Sequence, residues 1–222
     1  MKRATILALL IVLARTGYGQ IETIPDGIVV SFDTKIVRGA PYSAIAETET
    51  GFPREPLSKM TSRTVVHRDA EGRTRREFDH SAGEFVIAIF DPVDGYRYMF
   101  GPRRRVAFRS RLQAPVVLGG ASKRAALPPS ISSLGTRVIE GLACTGTRKV
   151  VTYPLQTFGN AQPFRVVNEE WYSPELQVNV LAVHEDPRIG VATYRLTHIE
   201  KKAPDPALFR VPAGYEIKDR LR

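Results

Sequence analysis

The chain has 222 residues, with 32 basic and 23 acidic side chains, one cysteine and a formal net charge of +9 at pH 7. This length suits one domain, since all-β sheets and barrels reach it undivided, and the lone Cys144 excludes an internal disulfide. A basic balance first suggests nucleic acid, but an export signal at the N-terminus argues against that partner. It turns the expectation toward anionic lipid headgroups or cell-envelope polymers, with a solvated surface carrying excess charge for solubility as the plainer alternative.

Lys2 and Arg3 form a positive start, and Ala4 to Ala14 is a short apolar run. As a helix that run rises about 16 Å, roughly half of a bilayer core. Gly17 and Gly19 are small residues before Gln20, so residues 1–19 are expected to be a signal peptide, with Val12 and Ala14 marking a second, earlier site. A buried N-terminal helix or an uncleaved anchor is the alternative. Cleavage near Gly19 removes Lys2, Arg3 and Arg15, so the 32 basic side chains fall to 29 against 23 acidic ones, a balance of +6. The expected location is periplasmic or otherwise exported. No other stretch is long and apolar enough to be a retained transmembrane helix.

From residue 20 to 222 the chain is expected to form a single β domain. Gly27–Asp33 and Ser43–Thr50 are weakly patterned strands. Lys59–Arg68 and Gly72–Phe78 flank Asp69-Ala70-Glu71-Gly72, whose Asp and Gly are turn chemistry, and form a hairpin. Phe85–Phe90, Tyr96–Phe100 and Arg105–Arg111 follow as a meander, with turns at Asp91-Pro92-Val93-Asp94-Gly95 and Gly101-Pro102-Arg103-Arg104. Gln113 to Ser133 carries Pro115, Gly119, Gly120, Pro128 and Pro129 and breaks the alternation. It is expected as an irregular insertion within one sheet, with a short helical turn around Ser122–Ala126. Strands resume at Thr136–Glu140 and Ala143–Tyr153. After a loop, Phe164–Tyr172, Leu176–Glu185 and Val191–Lys201 make a second meander. Asp205-Pro206 reads as a cap and first residue of one helical turn through Phe209, stopped by Pro212. No long amphipathic helix is evident.

Catalytic motifs are missing: the chain has no Gly-x-Ser-x-Gly elbow, no phosphate loop, no His-Glu-x-x-His and no Cys-x-x-Cys. His67, His80, His184 and His198 are scattered. If the hairpin around Asp186–Gly190 pairs symmetrically about Arg188, His184 faces residue 192 and His198 faces residue 178, so the two are not neighbours. No metal site is expected, nor any cofactor or catalytic residue. Glu169 and Glu170 are adjacent on a strand and point to opposite faces. Cys144, in an alternating stretch, is expected to be a small buried hydrophobe.

Two groups of residues remain. Arginines crowd the first hairpin, where Arg73 and Arg75 share a strand face, and the turn at Arg103, Arg104 and Arg105 beside Arg109 and Arg111. They suit contact with an anionic surface, and equally the charged edge strands that resist aggregation. Phe85 and Ile87 share one strand face, Tyr96 and Tyr98 line the next strand, and Trp171 stands near a strand end. With Phe209 they are candidates for an apolar lining; ordinary core packing is the other reading.

Tyr194-Arg195-Leu196, then Asp205, Phe209, Pro212, Gly214, Asp219 and Arg220, resemble the closing segment of the periplasmic outer-membrane lipoprotein carriers, the LolA-like proteins. Phe90 through Tyr96, with Pro102 and the strand after it, resembles their central strand–turn–strand. Gly135 through Ile139-Glu140-Gly141 to Cys144 is similar to related uncharacterised exported families. The resemblance implies a mainly β fold: one curved antiparallel sheet, an open half-barrel with short helical segments and an apolar hollow. It implies binding of a lipid, a lipoprotein or an envelope protein, and not catalysis. The chain departs from the carriers in lacking clear lid helices and in the Gln113–Ser133 insertion. An envelope interaction or sensor protein with no small-molecule ligand is the alternative function.

Overall fold

The computed structural model describes residues 22–24, 27–29, 36–52, 55–80, 84–112 and 127–220. The expected signal peptide, and the insertion's Ser122–Ala126 turn, lie outside the described residues. β1 (Glu22–Ile24) and β2 (Gly27–Val29) form a two-stranded antiparallel pair of their own. The expected first strand at Gly27–Asp33 is described as far as Val29.

The remaining strands enter one sheet. Its first meander is β3 (Tyr42–Phe52), β4 (Glu55–Arg68), β5 (Thr74–His80), β6 (Glu84–Asp91), β7 (Tyr96–Phe100) and β8 (Val106–Arg111). The second is β9 (Ser130–Ile139), β10 (Leu142–Tyr153), β11 (Phe164–Ser173), β12 (Val178–Asp186) and β13 (Gly190–Glu200). β14 (Glu216–Asp219) follows a 3₁₀ turn at Pro206–Phe209. The order across the sheet is β14-β8-β7-β6-β5-β4-β3-β13-β12-β11-β10-β9. Every pairing is antiparallel except that of β14 with β8. The sheet is open and curved, as expected, with β14 and β9 at its edges.

Turn chemistry sets the strand limits. The Asp69 carboxylate accepts from the Glu71 and Arg73 amides at 2.9 and 2.8 Å, and Asp91 accepts from those of Val93 and Asp94 at 2.9 and 3.0 Å. Asp186 accepts from the Arg188 amide at 2.8 Å. Gly190 closes that turn at φ +94°, and a Cβ there would collide with the Gly51 carbonyl, so both backbone freedom and space require glycine. The hairpin pairs symmetrically about Arg188, with His184 opposite Ala192, which is the register expected from the sequence.

One expectation needs correction. β9 begins at Ser130 and not at Thr136, because Ser130–Ser133 pair with Val150–Thr147 past a bulge at Gly146/Thr147; the end of the expected insertion is strand. β14 is a strand although all four of its residues are exposed. Its basis is backbone pairing to the free side of β8, which no burial pattern announces. Among the described residues the 3₁₀ turn at Pro206–Phe209, which the sequence marks, is the one helical element.

The larger core joins the two meanders where β13 pairs with β3. Tyr42, Ala44 and Ala46 of β3 pack with Leu196 and Tyr194 of β13, Val180 and Ala182 of β12, and Leu142 and Cys144 of β10. Cys144 is fully buried, and burial pushes its thiol up from the ordinary value. Arg68, buried on β4, donates to the Ala40 carbonyl at 2.8 and 3.0 Å and to that of Leu176, and lies over the Tyr42 ring. It ties the first meander to the β11–β12 turn.

Candidate binding face and its strap

After β13 the chain crosses to the far edge of the first meander. Asp205 caps the 3₁₀ turn by accepting from the Ala207 amide at 2.9 Å, and Pro206 supplies a fixed φ where no amide is needed. Phe209 is buried at 4% exposure. Arg75 of β5 donates to the Leu208 carbonyl at 3.0 Å and to Glu77 at 2.7 Å. The Tyr215 ring meets Phe100 edge-on at 5.3 Å, and its hydroxyl donates to the Gly101 carbonyl at 3.3 Å. β14 then pairs with β8, and Arg109 grips Asp219 through two bonds of 2.8 and 3.0 Å. Residues 201–215 thus form a strap over one face of the sheet.

Register decides which side chains lie under it. Ile87 pairs with Phe100, Ile89 with Tyr98, and Arg75 with Ile89, so these share the strap's face. Ile89, Phe100 and Ala107 are buried there, with Ile87, Tyr98, Val211 and Tyr215 packed around them. Burial raises the Tyr98 phenol above its ordinary range.

The candidate lining therefore divides. Ile87 and Tyr98 join the strap cluster. Phe85 lies on the same face at the sheet's end, 51% exposed. Tyr96 lies 6.2 Å from Tyr98, with Arg109 and Arg111 over its ring at 4.7 and 5.6 Å. Phe209 is buried on the strap itself. Trp171 is elsewhere: it belongs to the larger core, lies against Gly146, and has Arg137 over its ring at 3.8 Å.

The candidate arginines divide too. Arg73 pairs with Asp69, Glu71 and Asp91, and Arg75 is buried in holding the strap. Arg103, Arg104 and Arg105 are exposed on the β7–β8 turn. Strand alternation places Arg73 and Arg75 on one face but does not reveal the carboxylates and the carbonyl that meet them.

A polar niche of about 10 Å³ lies on the second meander, lined by Thr48, Asn168, Glu170, Ala182, His184 and Tyr194 among others. His184 Nδ1 is 2.8 Å from Asn168 Oδ1, while its buried Nε2 has no partner. Burial holds this imidazole below the ordinary histidine value. The niche has room for about one water. Among the described residues no group of three or more His, Cys, Asp or Glu is placed to hold a metal ion.

No model of a known protein family matches the sequence, and no curated protein matches it. Solved structures with a similar architecture include an uncharacterised conserved protein from Thermus thermophilus, at 12% identity over 82% of this chain and 91% of that one, TM-score 0.47. A chain of the Pseudomonas aeruginosa MucA/MucB complex is similar at 12% identity over 82% of this chain, TM-score 0.43, and this chain spans 59% of its length. A LolA superfamily protein from Nitrosomonas europaea is similar at 11% identity over 77% of this chain and 90% of that one, TM-score 0.37. At these identities the likeness is one of architecture.

Proposed function

We propose that this is an exported, non-enzymatic binding protein that holds an apolar chain, the tail of a lipid or of a lipoprotein-like ligand, on the strap's face of the sheet. One observation carries this reading. Among the described residues, the apolar face of β6–β8 is closed by a single crossing segment, residues 201–215, and not by a second layer of strands or helices. A ligand chain would enter by displacing Val211 and Tyr215 from Ile87, Tyr98 and Phe100, with Phe85 at the mouth. Trading one apolar contact for another costs little, so such a segment suits exchange. The export reading of residues 1–19 agrees with an envelope ligand. Native mass spectrometry of the protein purified from its own envelope tests the proposal. Co-purifying lipid supports it, and clean apo protein that also takes up no added fatty acid sinks it.

A second reading is favoured by a different observation. β9 is an edge strand with almost every residue exposed, Ile131 at 68% and Val138 at 73%. An open row of backbone donors and acceptors flanked by apolar side chains suits strand addition by an envelope protein, with no small-molecule ligand required.

A further inference from the structure

The sheet's two rims differ in chemistry. Antiparallel order puts the C-terminal ends of β3, β5, β7 and β12 at one rim and those of β4, β6, β9 and β11 at the other, where Glu140 follows β9. The first rim carries Phe52 at the end of β3, Phe85 at the start of β6 and Ile189 in the β12–β13 turn, 40%, 51% and 37% exposed. Between β7 and β8 it presents three consecutive exposed arginines, Arg103, Arg104 and Arg105. The Phe85 backbone borders the start of that turn, since a Cβ on Gly101 would touch the Phe85 carbonyl. Two carboxylates near this rim are engaged: Asp186 is held by Arg188 at 2.6 Å, and Glu216 lies 3.3 Å from Lys218. The opposite rim is acidic, with Asp69, Glu71, Asp94 and Glu175 in its turns. Two of its cations are drawn into pairs, Arg73 with Asp69 and Lys201 with Glu175 at 3.0 and 2.9 Å.

We infer that the first rim docks on an anionic phospholipid bilayer, with the Arg103–Arg105 turn on the headgroup phosphates and Phe85 entering the interface beside it. Each half of the device is weak alone. Apolar insertion and electrostatic attraction together give peripheral binding, and guanidinium matches phosphate with paired hydrogen bonds. The acidic rim turns away from the same surface, so the charge asymmetry fixes one orientation. This inference is independent of whether the strap's face holds a ligand.

The test is co-sedimentation of the protein, in the form the cell produces, with phosphatidylcholine vesicles and with vesicles containing phosphatidylglycerol. Binding is expected with phosphatidylglycerol, weakening as salt rises. The triple substitution R103E/R104E/R105E is expected to lower partitioning at least about a hundredfold, since losing each cation near such a surface costs on the order of a factor of five and the glutamates add repulsion. R103K/R104K/R105K is expected to keep most of the binding, Phe85→Ser to lose several-fold, and Glu140→Gln on the acidic rim to change nothing. All of these positions are exposed, and an unchanged melting curve confirms the fold. Equal binding to both vesicle types, or full binding by the triple glutamate variant, overturns the inference. So does retention by a soluble polyanion such as dextran sulfate without any retention by vesicles, which would assign a polymer.

Discussion

Around β13 and β3, fourteen described residues of six strands and one turn bury one another, whereas at β6–β8 three do so and Val211 and Tyr215 of the strap complete the cluster. The two meanders use the same turn chemistry and similar strands, and they differ in what covers them. The second meander and its seam with the first are closed by side chains that belong to the sheet and its turns. The far half of the first meander is closed by a segment that returns after the second is finished. A region stabilised by few buried side chains and one returning segment opens at lower free energy than one with a continuous core. Under the proposed function, binding by displacement and high local stability are competing demands that fall in different halves.

The largest expected effect lies in the continuous core. Leu196 is fully buried on β13, and Leu196→Ala should cost about 2–5 kcal/mol, the transfer loss plus a residual cavity. Urea unfolding should show a lower midpoint with an unchanged slope. Phe209→Ala tests the other half and should cost less, roughly 1–3 kcal/mol, because its loss frees the strap before it unfolds the sheet. Amide exchange should rise in the 3₁₀ turn, β14 and β8 while β12 and β13 stay protected. Uniform acceleration through all strands would erase the contrast between the halves.

Acid should weaken both halves through one buried and one half-buried histidine. His184 lines the niche of the second meander, and His67 lies on β4 with its Nδ1 2.8 Å from Ser43 Oγ. Burial holds both below the ordinary histidine value; for His67 the Glu77 carboxylate works against that and Arg75 with it. Above pH about 6.5 both folded and unfolded forms are neutral and neither contributes. Below it the unfolded chain takes up protons that the folded chain refuses, so stability falls as pH drops, by at most about 1.4 kcal/mol per pH unit for each histidine. His184→Gln should flatten part of the decline in melting temperature between pH 7 and pH 5.5. An unchanged decline would place the acid sensitivity elsewhere.

Much of the architecture is local and therefore legible in the chain. Tyr96–Phe100 is a strand with the bounds that alternation marks, the Asp186–Gly190 turn sets the register about Arg188, and Asp205-Pro206 caps the turn that alternation cannot describe. What escapes sequence reading is long-range. Arg68 and Arg75 look like surface cations by type, yet each is buried against a carbonyl more than a hundred residues away. Ile87 and Trp171 have equal standing as apolar strand residues, and only the sheet order separates them into two clusters. β14 has no burial pattern, because its partner is an edge and not a core.

The smallest effect belongs to the outer surface, where side-chain pairs carry little of the difference between the halves. Arg148 of β10 donates to Glu169 of β11 at 2.7 Å, directly across the strand pair, with the two side chains 47% and 24% exposed. Solvent screening and the entropy of holding a long side chain offset most of the attraction, so Arg148→Ala should change stability by less than about 0.5 kcal/mol. Its effect should shrink further in high salt. Placed beside Leu196→Ala in the same half, this variant separates what the core contributes from what the charges contribute. A loss of several kcal/mol at Arg148 would mean that the second meander is held by its ion pairs, and the contrast between a self-covered half and a strapped half would then no longer be one of buried apolar area.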